Sequence, residues 1–280
     1  MNQHQIKNLI GVVSLFTAVS IFLFAFFSFG PGARNGDDET TTTTVATTTE
    51  AEDIDPYRYL PPANLNQLSQ AEQLTYFNLV ANRVRSERPG FDSRARLLLG
   101  TVNPSGAAAI ATPIIRPIQY ALMPGYWEYR TYLPGTNNRE AFFSNAPQAS
   151  SLHLQDITSI SSVADENGNW TITVHIQEEI NPIPQLASAN GRINHILSPA
   201  DVLHEITSIT NLISVDVENI SLRYHGGFAS ITVNAQGQVT AASSGFNVDA
   251  QANNVSLGPI RTDVSAPQET RSYFTNFIWN

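Results

Sequence analysis

Residues 152–176 read LHLQDITSISSVADENGNWTITVHI, and this stretch decides the fold class. Every second residue from Trp170 to Ile176 is apolar and alternates with a polar one, which is typical of a strand with one buried face. The polar turn Asp165–Gly168, with its Asn-Gly pair, separates that strand from a second alternating segment. The stretch therefore predicts an antiparallel β-hairpin with one face in the core.

The rest of the C-terminal half continues this pattern. A second hairpin is predicted from the alternating segments Phe228–Asn234 and Gln238–Ala242, and Gly245–Leu257 is predicted as a long last strand. The segment from Ile213 to Tyr224 is predicted as strand with a break in register near Glu218-Asn219. Ser198–Asp201 supplies the cap, the first-turn proline and the acid that begin a helix.

The clearest helix lies nearer the N terminus. Ser69 and Glu72 match a capping box, and apolar residues recur at helical spacing from Leu74 to Val84 before Pro89-Gly90 ends the helix. Together these elements predict an α+β fold. We expect a β-rich antiparallel sheet, which could be strongly curved, with two main helices.

Residues 125–133 read GYWEYRTYL and contain the candidate binding residues. On a strand, Tyr126 and Arg130 lie on one face, and Trp127 and Tyr129 lie on the other. Aromatic rings beside an arginine could form a stacking platform for sugars or peptides, so these four residues are the candidate site. The alternative is that the face with Trp127 and Tyr129 packs in the core while Arg130 pairs with an acid at the surface.

The sequence carries no strong catalytic or cofactor signature. Glu178 and Glu179 are adjacent, so on a strand they point to opposite faces, and a hydrolytic pair would need Asp156, Asp165 or Glu166 as a partner. The six histidines form no metal-binding motif, and neither a P-loop nor a G-x-G-x-x-G fingerprint is present. We therefore predict no catalytic residue, no metal and no cofactor. A cell-wall-directed hydrolase or its regulator stays as an alternative.

Composition narrows the class of partner. The 280-residue chain has a formal net charge of −9, which disfavours nucleic-acid binding because phosphate backbones require a basic face. Apolar residues make up 42% of the chain, enough for a globular core. The chain has no cysteine, which excludes disulfides, thiol catalysis and a lipid-modified cysteine.

The N-terminal segment predicts where the protein works. From Leu9 to Phe29 no side chain is charged, and about 20 apolar residues in a helix span a hydrocarbon core of about 30 Å. We predict residues 1–8 as a cytoplasmic N terminus, 9–29 as a transmembrane signal-anchor, 30–55 as a disordered Thr-rich stalk and 56–280 as an extracytoplasmic α+β domain. Cleavage of the apolar segment as a signal peptide is the alternative.

Two short stretches match a pattern known from exported proteins. Tyr76-Phe77-Asn78 with Val84–Phe91 is similar to a YFN…VK.E.PGF pattern, with arginine here where lysine is usual, and Glu178–Pro182 is a second point of similarity. In these residues and in its layout the chain resembles a class of uncharacterised membrane-anchored exported proteins of Gram-positive, Firmicutes-type bacteria, which have a Thr-rich spacer and a β-rich ectodomain. The chain departs from that class by lacking a lipobox cysteine. The resemblance implies no activity.

The expected function is a single-pass protein of the cell membrane with a non-enzymatic binding or structural ectodomain at the cell surface. Its expected partners are the membrane, through Leu9–Phe29, and a cell-wall glycan, a peptide or a lipid. A second hypothesis, based on fold analogy, is a LolA-like carrier that encloses a lipid or other apolar ligand between a curved sheet and its helices.

Overall fold

The computed structural model describes residues 56–100, 103–105, 127–136, 142–143, 152–183, 188–194, 196–209, 213–214, 216–257 and 260–280. The predicted membrane segment 9–29 and the predicted stalk 30–55 lie outside these residues. Among the helices of the described ranges, none has the length and apolar character needed to cross a membrane.

The described part of the chain contains three α-helices and ten β-strands. The helices are α1 (Gln70–Glu87), α2 (Ala189–Ile193) and α3 (Pro199–Ile209). The strands are β1 (Gly90–Leu99), β2 (Asn103–Pro104), β3 (Trp127–Tyr132), β4 (Ile157–Ala164), β5 (Trp170–Ile176), β6 (Glu179–Ile180), β7 (Ile213–Ser214), β8 (Ile220–Val233), β9 (Val239–Leu257) and β10 (Ile260–Ile278).

All of these strands belong to one antiparallel sheet. Seven follow the order β3-β1-β10-β9-β8-β5-β4, while β2 pairs with β10, β6 with β8 and β7 with β9. The sheet is open, because the outermost strands of this order, β3 and β4, do not pair with each other. The predicted β-rich antiparallel sheet with a few helices is therefore confirmed, and the long β9–β10 hairpin forms its centre.

The strand assignment differs from the sequence prediction in three places. The segment Gly245–Leu257 is not the last strand, because it is the second half of β9, and β10 follows it. Strand β1 was not predicted. The break predicted near Glu218-Asn219 is present, but it is a 3-10 turn at Val217–Asn219 between β7 and β8 and not a bulge within one strand. A further shift in register, between His225 and Phe228, was not predicted.

Helix α1 covers one face of the sheet, which we call the covered face. The helix begins at its predicted capping box, where the Ser69 hydroxyl accepts from the Glu72 backbone and the Glu72 carboxylate accepts from the Ser69 backbone at 2.9 Å. The hydrogen bonds that the Ser69 hydroxyl, at 2.6 Å, and the Ser69 backbone donate to the Glu72 carboxylate lower the pKa of Glu72. Apolar side chains of α1, including Phe77 and Val80, are fully buried in one core cluster with Ile172 of β5 and Ile231 of β8.

A cluster of contacts, which we call the N-terminal joint, attaches the start of the domain to this core. The Tyr76 hydroxyl donates to the Tyr59 carbonyl at 2.8 Å, and the Arg83 guanidinium lies 4.4 Å from the Tyr59 ring centre and 5.0 Å from that of Trp279. Arg83 also donates to the Gly237 carbonyl at 2.8 Å. The joint therefore brings together the 3-10 turn Pro56–Tyr59, α1, the β8–β9 turn and the C-terminal Trp279.

Candidate binding site

The second face of the sheet, which we call the outer face, lies opposite α1. In β5 the covered-face residues Trp170, Ile172 and Val174 are buried, whereas the outer-face residues Thr171 and Thr173 are half-buried. The same alternation continues across the neighbouring strands, because residues paired between adjacent strands share a face. The outer face is therefore the side of the sheet that is accessible to a partner within the described ranges.

One row of paired side chains crosses all seven strands on the outer face. From β3 to β4 the row is Tyr129, Arg94, Tyr273, Ser243, Ser230, Thr173 and Ser161. Strands lie about 4.8 Å apart, so the row is about 29 Å long. It is aromatic and cationic at the β3 end and carries only hydroxyl groups from β9 to β4.

The β3 end of this row is an arginine–aromatic cluster, which we define as Arg94, Arg96, Trp127, Tyr129 and Tyr273. The Arg94 guanidinium carbon lies 5.1 Å from the ring centre of Trp127 and 4.8 Å from that of Tyr273, while the corresponding Arg96 carbon lies 5.5 Å from Trp127. The Trp127 and Tyr273 rings are 5.6 Å apart. Both guanidinium groups thus lie within cation–π distance of aromatic rings.

The two arginines of the cluster differ in charge balance from Arg223 and Arg271, which also lie on the outer face. Arg223 pairs with Glu178 and Asp249, and Arg271 lies 3.3 Å from Glu269. Within the described part of the chain, Arg94 and Arg96 form no ion pair, and Nε of Arg96 is buried without a hydrogen-bond partner. The cluster therefore presents positive charge that the surrounding side chains do not neutralise.

The other end of the row is a surface of paired hydroxyl groups. The side-chain oxygens of Thr171 and Thr232 are 3.0 Å apart, and those of Thr173 and Ser230 are 2.9 Å apart. A hydroxyl group both donates and accepts hydrogen bonds, so each pair retains capacity for a further polar partner. Small side chains at these positions also keep the surface flat.

The structure separates the four candidate residues predicted from the sequence. Trp127 and Tyr129 share the outer face, and Tyr129 is 69% exposed, so the alternative that this tyrosine packs in the core is wrong. Arg130 lies on the same side as the core residue Phe91 and donates to the Glu128 carboxylate at 2.7 Å. Tyr126 lies outside the described residues.

Sequence reasoning missed Arg94, Arg96 and Tyr273, which complete the cluster. Their strands pair across most of the length of the domain, and no local pattern indicates which residues of β10 lie beside β1. One signal was present in β1, because Arg94 and Arg96 are two residues apart and therefore share a face of a strand. That spacing alone could have placed two cations on one surface.

Three of the carboxylates considered for hydrolysis, Glu178, Glu179 and Asp165, are engaged elsewhere. Glu178 and Glu179 point to opposite faces, as predicted. Glu178 accepts a hydrogen bond from Arg223, which lowers the pKa of Glu178. Glu179 accepts hydrogen bonds from the backbone at the start of α2. Hydrogen bonds from Asn169 lower the pKa of Asp165, which lies in the β4–β5 turn. A general acid needs a raised pKa, so the shifts of Glu178 and Asp165 are opposite to that requirement.

The space between α1 and the sheet bears on the carrier hypothesis. It is filled by side chains such as Phe77 and Ile172, which are fully buried, and by stacked aromatic rings, of which Phe142 and Phe143 lie 4.3 Å apart. An enclosed lipid would have to displace these side chains, so the packing in the described ranges does not support that hypothesis.

No family model, curated protein or solved structure matches this chain. The chemistry of the outer face is therefore the basis for assigning a function.

Proposed function

We propose that this protein is a single-pass, membrane-anchored extracytoplasmic protein whose ectodomain is a non-enzymatic binding module, with the outer face of the sheet as its ligand-binding surface. The observation that carries the proposal is the arginine–aromatic cluster, where two arginines without a carboxylate partner lie against exposed or half-exposed aromatic rings. Exposed aromatic and arginine side chains are the types most often found at the centres of binding surfaces.

The membrane part of the proposal rests on the uncharged apolar run Leu9–Phe29. The Thr-rich segment that follows it would act as a spacer between the membrane and the domain. The positive-inside tendency counts lysine and arginine, and Lys7 lies two residues before the run whereas Arg34 lies five residues after it, which favours a cytoplasmic N terminus and a domain outside the cytoplasm.

Fractionation of cells that express the full chain tests the anchor. We expect the protein to stay in the membrane pellet after alkaline washing, because a transmembrane helix is removed only by detergent. Protease added outside intact cells should digest the domain. A soluble form that begins near Ala33, or a domain protected until the cells are lysed, would contradict the proposed anchor or its orientation.

Retention on insoluble Gram-positive cell-wall fragments tests the binding surface. We compare Tyr129→Ser with Tyr57→Ser in the full chain in detergent micelles, since the two tyrosines are 69% and 73% exposed. Loss of one stacked aromatic ring is worth about 1–2 kcal/mol, so Tyr129→Ser should weaken retention by at least about fivefold. The Tyr57→Ser variant should behave as the parent. Equal retention of both variants would show that the outer face is not the binding surface.

A further inference from the structure

We infer that the ligand of the outer face is an acidic polysaccharide whose anionic groups are bound by Arg94 and Arg96 and whose sugar rings lie along the row of aromatic and hydroxyl side chains. This inference rests on the proposed binding function and names its ligand class. Three properties of the surface support it: the availability of the guanidinium edges, the chemistry of the row, and the position of the neighbouring acids.

Arg94 is exposed and Arg96 is half-buried, and their guanidinium carbons lie 5.1 and 5.5 Å from the ring centre of Trp127. Nε of Arg96 is buried, so the anion is bound through the N–H groups of Arg94 and the two terminal nitrogens of Arg96. Those N–H groups match the two oxygens of a carboxylate or phosphate. Arg94 and Arg96 have no carboxylate partner in the described ranges, so an anionic ligand would balance their charge.

The remainder of the row suits a sugar chain better than a peptide. Successive positions present the Tyr129 ring, the Tyr273 ring and then hydroxyl groups, starting with Ser243. Aromatic ring faces pack against the apolar C–H face of a sugar, and hydroxyl groups both donate to and accept from sugar hydroxyls. An extended acidic peptide instead obtains most of its affinity by pairing its main chain along a sheet edge, whereas this row runs across the strands from β3 to β4.

Neighbouring acids indicate where the anion binds. Asp92 lies one outer-face position before Arg94 on β1, and its carboxylate accepts hydrogen bonds from Thr131 at 2.7 Å and Asn276 at 2.7 Å. These bonds, first from Asn276 and then from Thr131, lower the pKa of Asp92, so the group is negative at neutral pH and repels an anion. Glu269, which pairs with Leu98 on the same face, bounds the other side. The anionic group of the ligand is therefore placed between Arg94 and Arg96.

The experiment uses the full chain in detergent micelles and three polymer probes. Polygalacturonic acid is the acidic polysaccharide, its fully methyl-esterified form has the same backbone without charge, and poly-L-glutamate is an acidic peptide. Arg94→Gln is compared with Arg261→Gln, a matched control because Arg261 is exposed and lies twelve residues before Tyr273 on β10. Binding of each polymer is measured by biolayer interferometry, and the measurement is repeated in about 0.5 M salt.

We expect polygalacturonic acid to bind the parent protein at least about tenfold more tightly than its methyl ester does. The Arg94→Gln variant should lose most of that difference in affinity, and the Arg261→Gln variant should keep it. Equal binding of polygalacturonic acid and its methyl ester would overturn the inferred ligand class. The proposed binding function would still stand if Tyr129→Ser weakened the binding of both polymers. Preferential binding of poly-L-glutamate would replace the polysaccharide by an acidic peptide. Failure of the polysaccharides to bind would overturn the inference, while the wall-fragment experiment still judges the proposed function independently.

Discussion

A Gly237→Ala variant is expected to lose about 3 kcal/mol of unfolding free energy, and a Gly168→Ala variant only about 1 kcal/mol. Both glycines are the fourth residue of a hairpin turn and have positive φ angles, +70° for Gly237 and +80° for Gly168. A side chain in this left-handed region costs about 1–2 kcal/mol at either position. The expected difference therefore comes from what surrounds each turn.

The two turns are otherwise matched. In the β4–β5 turn the Asp165 carboxylate accepts from the backbones of Asn167 and Asn169 at 2.9 Å, and in the β8–β9 turn Asn234 plays the same part for Gln236 and Gln238 at 3.0 and 2.9 Å. Each turn glycine also donates its N–H to the first residue of its turn. The backbone strain of an alanine should therefore be similar in both.

The surroundings of the two glycines differ sharply. A Cβ at Gly168 would have no atom within 4 Å, whereas a Cβ at Gly237 would lie 2.0 Å from the carbonyl oxygen of Tyr59. The chain at Tyr59 would have to move away, which would break the hydrogen bond from Tyr76 and the stacking of Arg83 in the N-terminal joint. These contacts account for the additional cost of about 2 kcal/mol.

Urea unfolding of the full chain in detergent micelles, followed by circular dichroism, measures both variants. Limited proteolysis near Tyr59 adds a local readout, since Gly237→Ala should expose this segment and Gly168→Ala should not. Equal losses of stability in the two variants would mean that the N-terminal joint contributes nothing to the stability of the domain.

The sequence predicted those parts of the fold whose signals are local. The β4–β5 hairpin has both strands and the turn within 20 residues, and the capping box of α1 joins residues three apart. Strands β1 and β10 pair instead from opposite ends of the domain, Gly90 with Ile278 and Leu99 with Gln268. Strand β10 also contains Pro267, which argues against a central strand. Pro267 is tolerated because β1 ends at Leu99, which pairs with Gln268. The residue opposite Pro267 therefore lies just beyond β1, where no strand hydrogen bond is lost.

The candidate site could be predicted only in part, for the same reason. Trp127 and Tyr129 were visible because they alternate within one strand, and period-two alternation correctly placed them on a common face. The sequence could not show which face of β3 is covered, because that depends on α1 and on the pairing of β3 with β1. Nor could it show that Tyr273 lies against Trp127, since this contact requires the register of two strands that pair with β1.

The adjacent residues Glu178 and Glu179 provide a second matched pair, and we expect opposite outcomes for their alanine variants. Glu179→Ala should lower the free energy of unfolding by about 3 kcal/mol, whereas Glu178→Ala should change it little. The Glu179 carboxylate accepts from the Ser188 hydroxyl at 3.0 Å, from the Ala189 and Asn190 backbones at 3.0 and 2.9 Å, and from the Asn190 side chain at 2.8 Å.

Loss of these bonds would leave the donors at the start of α2 without a partner in a half-buried site, which is costlier than losing an exposed bond. The effect should reach the sheet, because Asn190 is fully buried against the bulge in β8. Its side-chain oxygen lies so close to Gly227 that a Cβ on that glycine would be only 2.4 Å away. Glu178, in contrast, bonds to Arg223 at 2.8 and 2.7 Å on an exposed part of the outer face, where water replaces the ion pair.

Urea unfolding and amide hydrogen exchange distinguish the two variants. Glu179→Ala should increase exchange in α2 and around the Gly226-Gly227 bulge of β8, and Glu178→Ala should leave exchange there as in the parent. If the two variants were equally stable, the carboxylate of Glu179 would not be what holds α2 on the sheet. If Glu178→Ala were the more harmful change, the ion pair with Arg223 would have to be structural, and the outer face would be less free to bind a ligand than we propose.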